Sequence, residues 1–224
     1  MYANSREIRS AQQGPHEKLA ELVLRHRDHT FLKPAAPWNR AAFESAMRDW
    51  GGERPLLLDA GCGVGWSSLQ LARQYPDHFV LGVDQSEDRL ERGKPGEDEW
   101  PTNLSFVRAE LVDFWRLLRE QGVQLSRHYI LYPNPWPKIG HVARRWHGHA
   151  VFPDLLALGG QLECRSNWRI YLDEMAFALQ LLSGREAKVE RIEVAEPLTL
   201  FERKYRDSGQ PLYRLIFEPQ AAAE

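Results

Sequence analysis

The stretch Leu56-Leu57-Leu58-Asp59-Ala60-Gly61-Cys62-Gly63-Val64-Gly65 constrains this chain more than any other. Leu56 to Leu58 form an unbroken apolar run, as in a parallel strand covered on both faces. Three alternating glycines follow, which permit a tight turn and leave no Cβ between backbone and ligand. A helical pattern begins directly after Gly65. Asp59, at the strand's end, is placed to meet a cation. Asp84 follows a second apolar run, Phe79-Val80-Leu81-Gly82-Val83. A carboxylate there suits the hydroxyls of a ribose. The spacing predicts a nucleoside-containing cofactor at the C-terminal ends of two parallel strands.

A dinucleotide fingerprint reads G-x-G-x-x-G and leads a pyrophosphate to a helix N-terminus. Here the glycines read G-x-G-x-G behind an aspartate. That pattern resembles class I S-adenosylmethionine-dependent methyltransferases, whose cofactor carries an amino acid group and a sulfonium but no phosphate. The resemblance implies S-adenosylmethionine as cofactor, with Asp59, Gly61, Gly63, Gly65 and Asp84 around it. Glu110, after the third strand, fits an acceptor for the adenine amino group. Asp113 competes for that role, and a helix-dipole charge is the alternative for Glu110.

The rest of the chain supports one α/β domain. Strands are expected at 55–60, 79–83, 104–109, 128–132 and 160–165, alternating with helices at 66–75, 86–92, 111–121, 143–157 and 168–183. Residues 188–194 and 212–217 read as two closing strands, one antiparallel, with no helix between them. The expected fold is Rossmann-like: a seven-stranded, mostly parallel sheet with helices on both faces. Residues 1–50 form an N-terminal arm and helices (His16 to about His29, and Asn39 to Trp50) flanking a catalytic domain over 51–224. Ser5 to Gln13 reads as a mobile arm, and Gly93 to Pro101 as a surface loop.

Of 224 residues 43% are hydrophobic, and the formal charge is −2, so no global positive field draws the chain to nucleic acid. Cys62 and Cys164 read as reduced core residues. No signal peptide or membrane-length apolar run is evident, so a cytoplasmic protein is expected. The sequence does not set the oligomeric state, with a monomer favoured, and no metal site is assigned.

The candidate substrate side follows the fourth strand. Tyr132-Pro133-Asn134-Pro135-Trp136-Pro137-Lys138 places three prolines in five residues, which fixes a rigid loop. Its indole offers a stacking face and its amide both donor and acceptor groups. A stiffened crossover with Trp136 in the core is the competing reading. Lys138, His141, Arg144, Arg145, His147 and His149 then form a cationic run without an acid, suited to phosphates unless it is a solvated helix face.

The whole run Pro133-Asn134-Pro135-Trp136-x-Lys138-x-x-His141-x-x-Arg144-Arg145 resembles the P-D-P-W-x-K-x-x-H-x-x-R-R signature of the tRNA (guanine-N7)-methyltransferase family. Ser166-Asn167-Trp168 is similar to that family's T-D-W, and Thr199-Leu200-Phe201-Glu202-Arg203 to its T-x-F-E-x-K/R. Together the resemblance covers about 55–218. It implies methyl transfer to guanine N7 of tRNA. Asn134, Asn167, Thr199 and Glu202 would surround the base, Trp136 would contribute to the substrate site, and Lys138, His141, Arg144 and Arg145 would hold phosphates. Thr199 to Glu202 as the start of a surface loop, and Asn167 as a helix N-cap, are the competing readings. Asn134 and Asn167 stand where the family has aspartates. This keeps open a different base, a small-molecule or protein substrate, or a non-catalytic relative.

Overall fold

A computed structural model describes residues 5–92 and 100–219. The expected loop over 93–101 lies mostly outside them.

Seven strands form one sheet: β1 (Leu56–Ala60), β2 (Phe79–Asp84), β3 (Leu104–Arg108), β4 (Arg127–Leu131), β5 (Gln161–Ser166), β6 (Lys188–Ile192) and β7 (Leu212–Phe217), in the order β3-β2-β1-β4-β5-β7-β6. Neighbours among β1 to β5 pair in parallel, and β7 runs antiparallel between β5 and β6. Every residue of β1 and β2 is buried, as their continuous apolar runs require. Strand alternation divides the core. Leu56 and Leu58 belong to the larger apolar layer with Phe114, Trp115, Phe152, Tyr171 and Met175, whereas Leu57 joins Leu71, Val80, Leu104, Tyr129 and Leu131 on the other side. This is the expected Rossmann-like sheet with helices on both faces.

Eight α-helices accompany it among the described residues: α1 (Leu19–Asp28), α2 (Pro37–Trp50), α3 (Trp66–Gln74), α4 (Glu87–Arg92), α5 (Leu111–Glu120), α6 (Phe152–Ala157), α7 (Arg169–Ser183) and α8 (Leu200–Asp207). Two differ from the sequence reading. The helix expected over 143–157 is replaced by 3₁₀ turns at Ile139–Arg144 and Trp146–Gly148, followed by the short α6. Arg145 between the turns is extended (φ −74°, ψ 144°), which sends its side chain inward. At Gly148 a Cβ would lie 2.2 Å from the Val142 carbonyl oxygen, and Pro153 opens the new helix. The second difference is α8, between β6 and β7 where no helix was expected.

The segment read as a mobile arm is tied down. Ser10 Oγ donates to the Pro137 carbonyl (2.6 Å), Gln12 Nε2 donates to Glu174 (2.5 Å), and Gln210 Nε2 donates to the Ser5 carbonyl (2.8 Å). Ile8 packs on the core.

Candidate active site

The glycine turn is held against β2. The amides of Gly61 and Cys62 both donate to the Val83 carbonyl, and Gly63 N–H donates to Asp84 Oδ2 at 2.9 Å. Asp84 Oδ1 accepts from Ser86 N–H and the Arg89 guanidinium lies 3.8 Å from Oδ2, so this carboxylate locks the turn. Gly61, Gly63 and Gly65 all have positive φ (80°, 60° and 76°). Their roles differ. A Cβ on Gly63 would meet nothing within 4 Å, so the turn opens there onto free space. A Cβ on Gly65 would come within 2.3 Å of the Phe106 ring. The missing Cβ at Gly65 thus makes room for Phe106. Gly82 serves the same packing, since a Cβ there would meet Ser68 Oγ at 2.5 Å and Phe106 at 2.7 Å.

Asp59 lies beneath the turn, fully buried. Ser67 Oγ and Ser68 Oγ both donate to its Oδ2 at 2.6 Å, while Oδ1 has no hydrogen-bond partner. Burial raises its carboxyl to about 6, the two serines oppose the shift, and nearby Asp84 adds to it. A buried carboxylate with one unsatisfied oxygen, next to an open turn and a second carboxylate, fits a ligand bearing a cation and a vicinal diol.

In the first turn of α5, after β3, Asp113 is committed inside the fold. Its Oδ2 accepts from Asn39 Nδ2 (2.6 Å) and Ala36 N–H (2.9 Å), which pins the start of α2. Glu110 is only partly buried, with its backbone N–H held by Asn39 Oδ1. Of the two acids, Glu110 is the more exposed residue.

The proline loop leaves the same edge of the sheet, because β4 pairs with β1. Tyr132 (φ 52°) and Trp136 (φ 45°) both adopt left-handed backbone, rare for side-chain-bearing residues. Between them Asn134 is exposed, and its Oδ1 accepts from Trp136 N–H at 3.3 Å. Trp136 is half-buried rather than in the core. The Arg144 guanidinium lies 4.9 Å from its ring centroid and the His141 ring meets it edge-on at 5.6 Å. Lys138 and Arg144 are exposed. Burial, and then the charges of Arg144, Lys138 and Arg145, lower the His141 imidazole from its ordinary value.

Arg145 departs from its expected phosphate role. It has no exposed surface. Its Nη1 donates to Glu174 Oε2 (2.5 Å), its Nε and Nη2 to the Trp136 carbonyl (3.2 and 3.0 Å), and its Nη2 also to Gln12 Oε1 (3.0 Å). It shapes the loop from below. Thr199 and Glu202 also turn inward. Thr199 is the N-cap of α8, accepting from Glu202 N–H at 2.9 Å. Glu202, fully buried, accepts from Leu198 N–H (2.6 Å), Tyr132 O–H (2.7 Å) and Arg165 Nη1 (3.0 Å). The pair is a variant of the capping box, not an open base-binding edge. Asn167 is likewise not the N-cap of α7, which is Trp168; it donates to Gln210 Oε1 at 2.8 Å.

Sequence reasoning overlooked Tyr132 and Arg165. Arg165 links Glu163 (2.6 Å) to Glu202, and Tyr132 N–H donates to the Arg165 carbonyl. Burial alone would lower Arg165, but Glu163 and Glu202 outweigh it and hold the guanidinium charged. The signal was a lone arginine within an interior strand.

An α/β sheet of this order, with a glycine turn after β1 and an acid after β2, defines a class I methyltransferase fold. Comparison with known proteins agrees. A family model described as "Putative methyltransferase" matches residues 53–215. The chain belongs to this family of methyltransferases. Over 170 residues it is 29% identical to a tRNA (guanine-N(7)-)-methyltransferase of Aquifex aeolicus, covering 72% of this chain and 55% of the relative. Over 209 residues it is 28% identical to a protein of the same name from Paraburkholderia xenovorans, covering 86% and 75%. The chain thus spans little more than half the length of the first relative. Among solved structures, the 16S rRNA methyltransferase KamB shares the fold at TM-score 0.56 and 18% identity, covering 85% of this chain and 99% of that one. The aminoglycoside resistance methyltransferase NpmB1 does so at 0.55 and 20%, covering 80% and 93%. Among the described residues no helix is long and apolar enough to cross a membrane.

Proposed function

We propose that this protein transfers a methyl group from S-adenosylmethionine to N7 of a guanine in tRNA. The observation that carries the substrate half is the rigid loop at the C-terminal edge of β4, with Trp136 half-buried beneath the exposed Arg144 and Lys138 nearby. The names of the sequence relatives support the same reading.

Asp59, with its unsatisfied oxygen, would face the cationic part of S-adenosylmethionine, Asp84 the ribose hydroxyls, and Glu110 the adenine amino group. When bound, the cofactor supplies an electrophilic methyl on a sulfonium. Guanine N7 carries an in-plane lone pair, so the chain need not remove a proton from it. The protein's task is alignment and charge. Asn134 and Asn167, beyond the ends of adjacent strands β4 and β5, would orient the base, and Lys138, His141 and Arg144 would meet the phosphate backbone. Arg145, Thr199 and Glu202 act from within: Arg145 fixes the Trp136 backbone, and Glu202 braces Tyr132 and Arg165 beneath the loop.

The two asparagines favour one second reading. An amide offers a donor and an acceptor, which matches an adenine edge better than a carboxylate does. Incubation with labelled S-adenosylmethionine and unmodified tRNA, followed by nucleoside mass spectrometry, separates the two. The expected product is 7-methylguanosine. A methylated adenosine would overturn the guanine assignment, and no transfer to RNA would overturn both.

A further inference from the structure

Three large apolar side chains are exposed around the glycine turn and α8: Trp66 (44%), Leu200 (36%) and Phe201 (51%). Trp66 and Phe201 each make a ring contact with a side chain of α8. Trp66 is the first residue of α3, directly after Gly65, and the Arg203 guanidinium lies 5.6 Å from its ring centroid. Phe201 stacks on Tyr205 (6.2 Å, 23° between planes), and Tyr205 contacts Tyr132 at 5.5 Å, at the root of the proline loop. The Phe201–Tyr205–Tyr132 contacts therefore lead from α8 to the root of the substrate loop. Burial of Phe201 is not needed to hold α8, which is fixed by Thr199 and Glu202. Lys204 lies three residues after Phe201, on the same side of α8, whereas Asp207 pairs with Arg206 and Glu202 is buried against Arg165.

We infer that Phe201, with Tyr205, forms a stacking surface for an unstacked nucleobase of the RNA substrate, and that Lys204 meets a phosphate beside it. The inference rests on the proposed RNA methylation. An exposed ring adjoining cations is what a base with its phosphate fits: the π-face takes any base and the cation takes the backbone. A protein partner would want a broader apolar face than these rings among charges provide.

The test uses the full chain with an unmodified tRNA transcript and a single-stranded RNA oligonucleotide containing 2-aminopurine, whose fluorescence is quenched on stacking. Phe201→Ala should weaken binding of both RNAs by about 5- to 150-fold, the range expected for one lost stacking contact. It should abolish the quenching, leave cofactor affinity and melting temperature unchanged, and leave the salt dependence unchanged. Phe201→Tyr should restore affinity. Lys204→Ala should lower the slope of log affinity against log salt by about one phosphate contact. Wild-type RNA affinity and quenching in Phe201→Ala would overturn the inference, as would absence of RNA binding by the unmodified protein. RNA binding with quenching but no methylated nucleoside would leave the stacking surface standing and sink the methylation reading instead.

Discussion

Arg145 and Glu174 form an ion pair of 2.5 Å with neither side chain exposed to solvent. Adjacent Arg144 lies at the surface over Trp136. Two consecutive arginines of one motif thus have opposite destinations. Glu174 also accepts from His147 Nε2 (2.8 Å), Gln12 Nε2 and His16 N–H, so one carboxylate gathers the N-terminal segment, the 3₁₀ turns and α7. Burial alone would raise the Glu174 carboxyl, but His147 and Arg145 outweigh it and hold it at about 2.

Exchanging the two arginines for alanine one at a time should separate stability from binding. Arg145→Ala leaves Glu174 without its main counter-charge and should cost about 3–5 kcal/mol of folding stability in urea titration. Arg144→Ala should change stability by less than about 0.5 kcal/mol, yet weaken tRNA binding and reduce its salt slope by about one. Equal losses of stability in both variants would contradict the burial difference.

Cofactor affinity should depend on Asp59 ionisation. The folded carboxyl sits near 6 against 3.8 when unperturbed, so between those values the native state holds the proton the unfolded chain has released. Stability of the ligand-free protein therefore falls as pH rises through that window, by about 3 kcal/mol in all. A cationic ligand needs the ionised form. S-adenosylmethionine affinity, measured by calorimetry, should drop about tenfold from pH 7 to pH 5. Asp59→Asn should flatten that dependence, weaken binding at pH 7, and raise the melting temperature of the ligand-free protein.

His128 acts in the opposite direction. It is buried, its Nε2 accepts from Trp115 Nε1 at 3.1 Å, and burial lowers it from 6.5 to about 3. The native state keeps it neutral where the unfolded chain takes up a proton. Its contribution is complete above pH 6.5 and is lost as pH falls towards 3, about 2 kcal/mol of it between pH 7 and pH 5. His128→Gln, which retains an acceptor but cannot titrate, should make unfolding free energy measurably less steep over that range. An unchanged slope would assign the acid sensitivity elsewhere, first to His147, which burial also lowers.

The parts of this molecule that were legible in the sequence are those governed by local pattern. Leu56 to Leu58 and the run from Phe79 announce interior strands because hydrophobic burial on both faces leaves no other placement, and Asp84 falls where strand length puts it. What could not be read is where a charged side chain goes when the backbone turns. Arg144 and Arg145 look alike in a cationic run, and the difference arises from Glu174, 29 residues further on. Glu202 is similar: its fate depends on Tyr132 and Arg165, which β4 and β5 bring together from distant positions. The capping pattern Thr199-x-x-Glu202 was present and announces α8, but its match to a substrate motif drew the reading elsewhere.

The glycines of the turn should respond differently to the same substitution. Both Gly63 and Gly65 have positive φ, so alanine at either incurs about 1 kcal/mol of backbone strain. At Gly63 the new methyl enters open space, and the fold should lose little more than that while cofactor binding is blocked by the methyl in the cradle. At Gly65 the methyl would overlap the Phe106 ring at 2.3–2.5 Å, which forces Phe106 out of its packing against Leu57 and Leu71's layer. Gly65→Ala should therefore cost about 1–3 kcal/mol beyond the backbone strain. Trimming the obstruction should recover part of it: Gly65→Ala with Phe106→Leu should be more stable than additivity of the two single variants allows. Urea titrations of the four proteins provide the cycle. Strict additivity would show that the ring at Phe106 is not what requires a glycine at position 65.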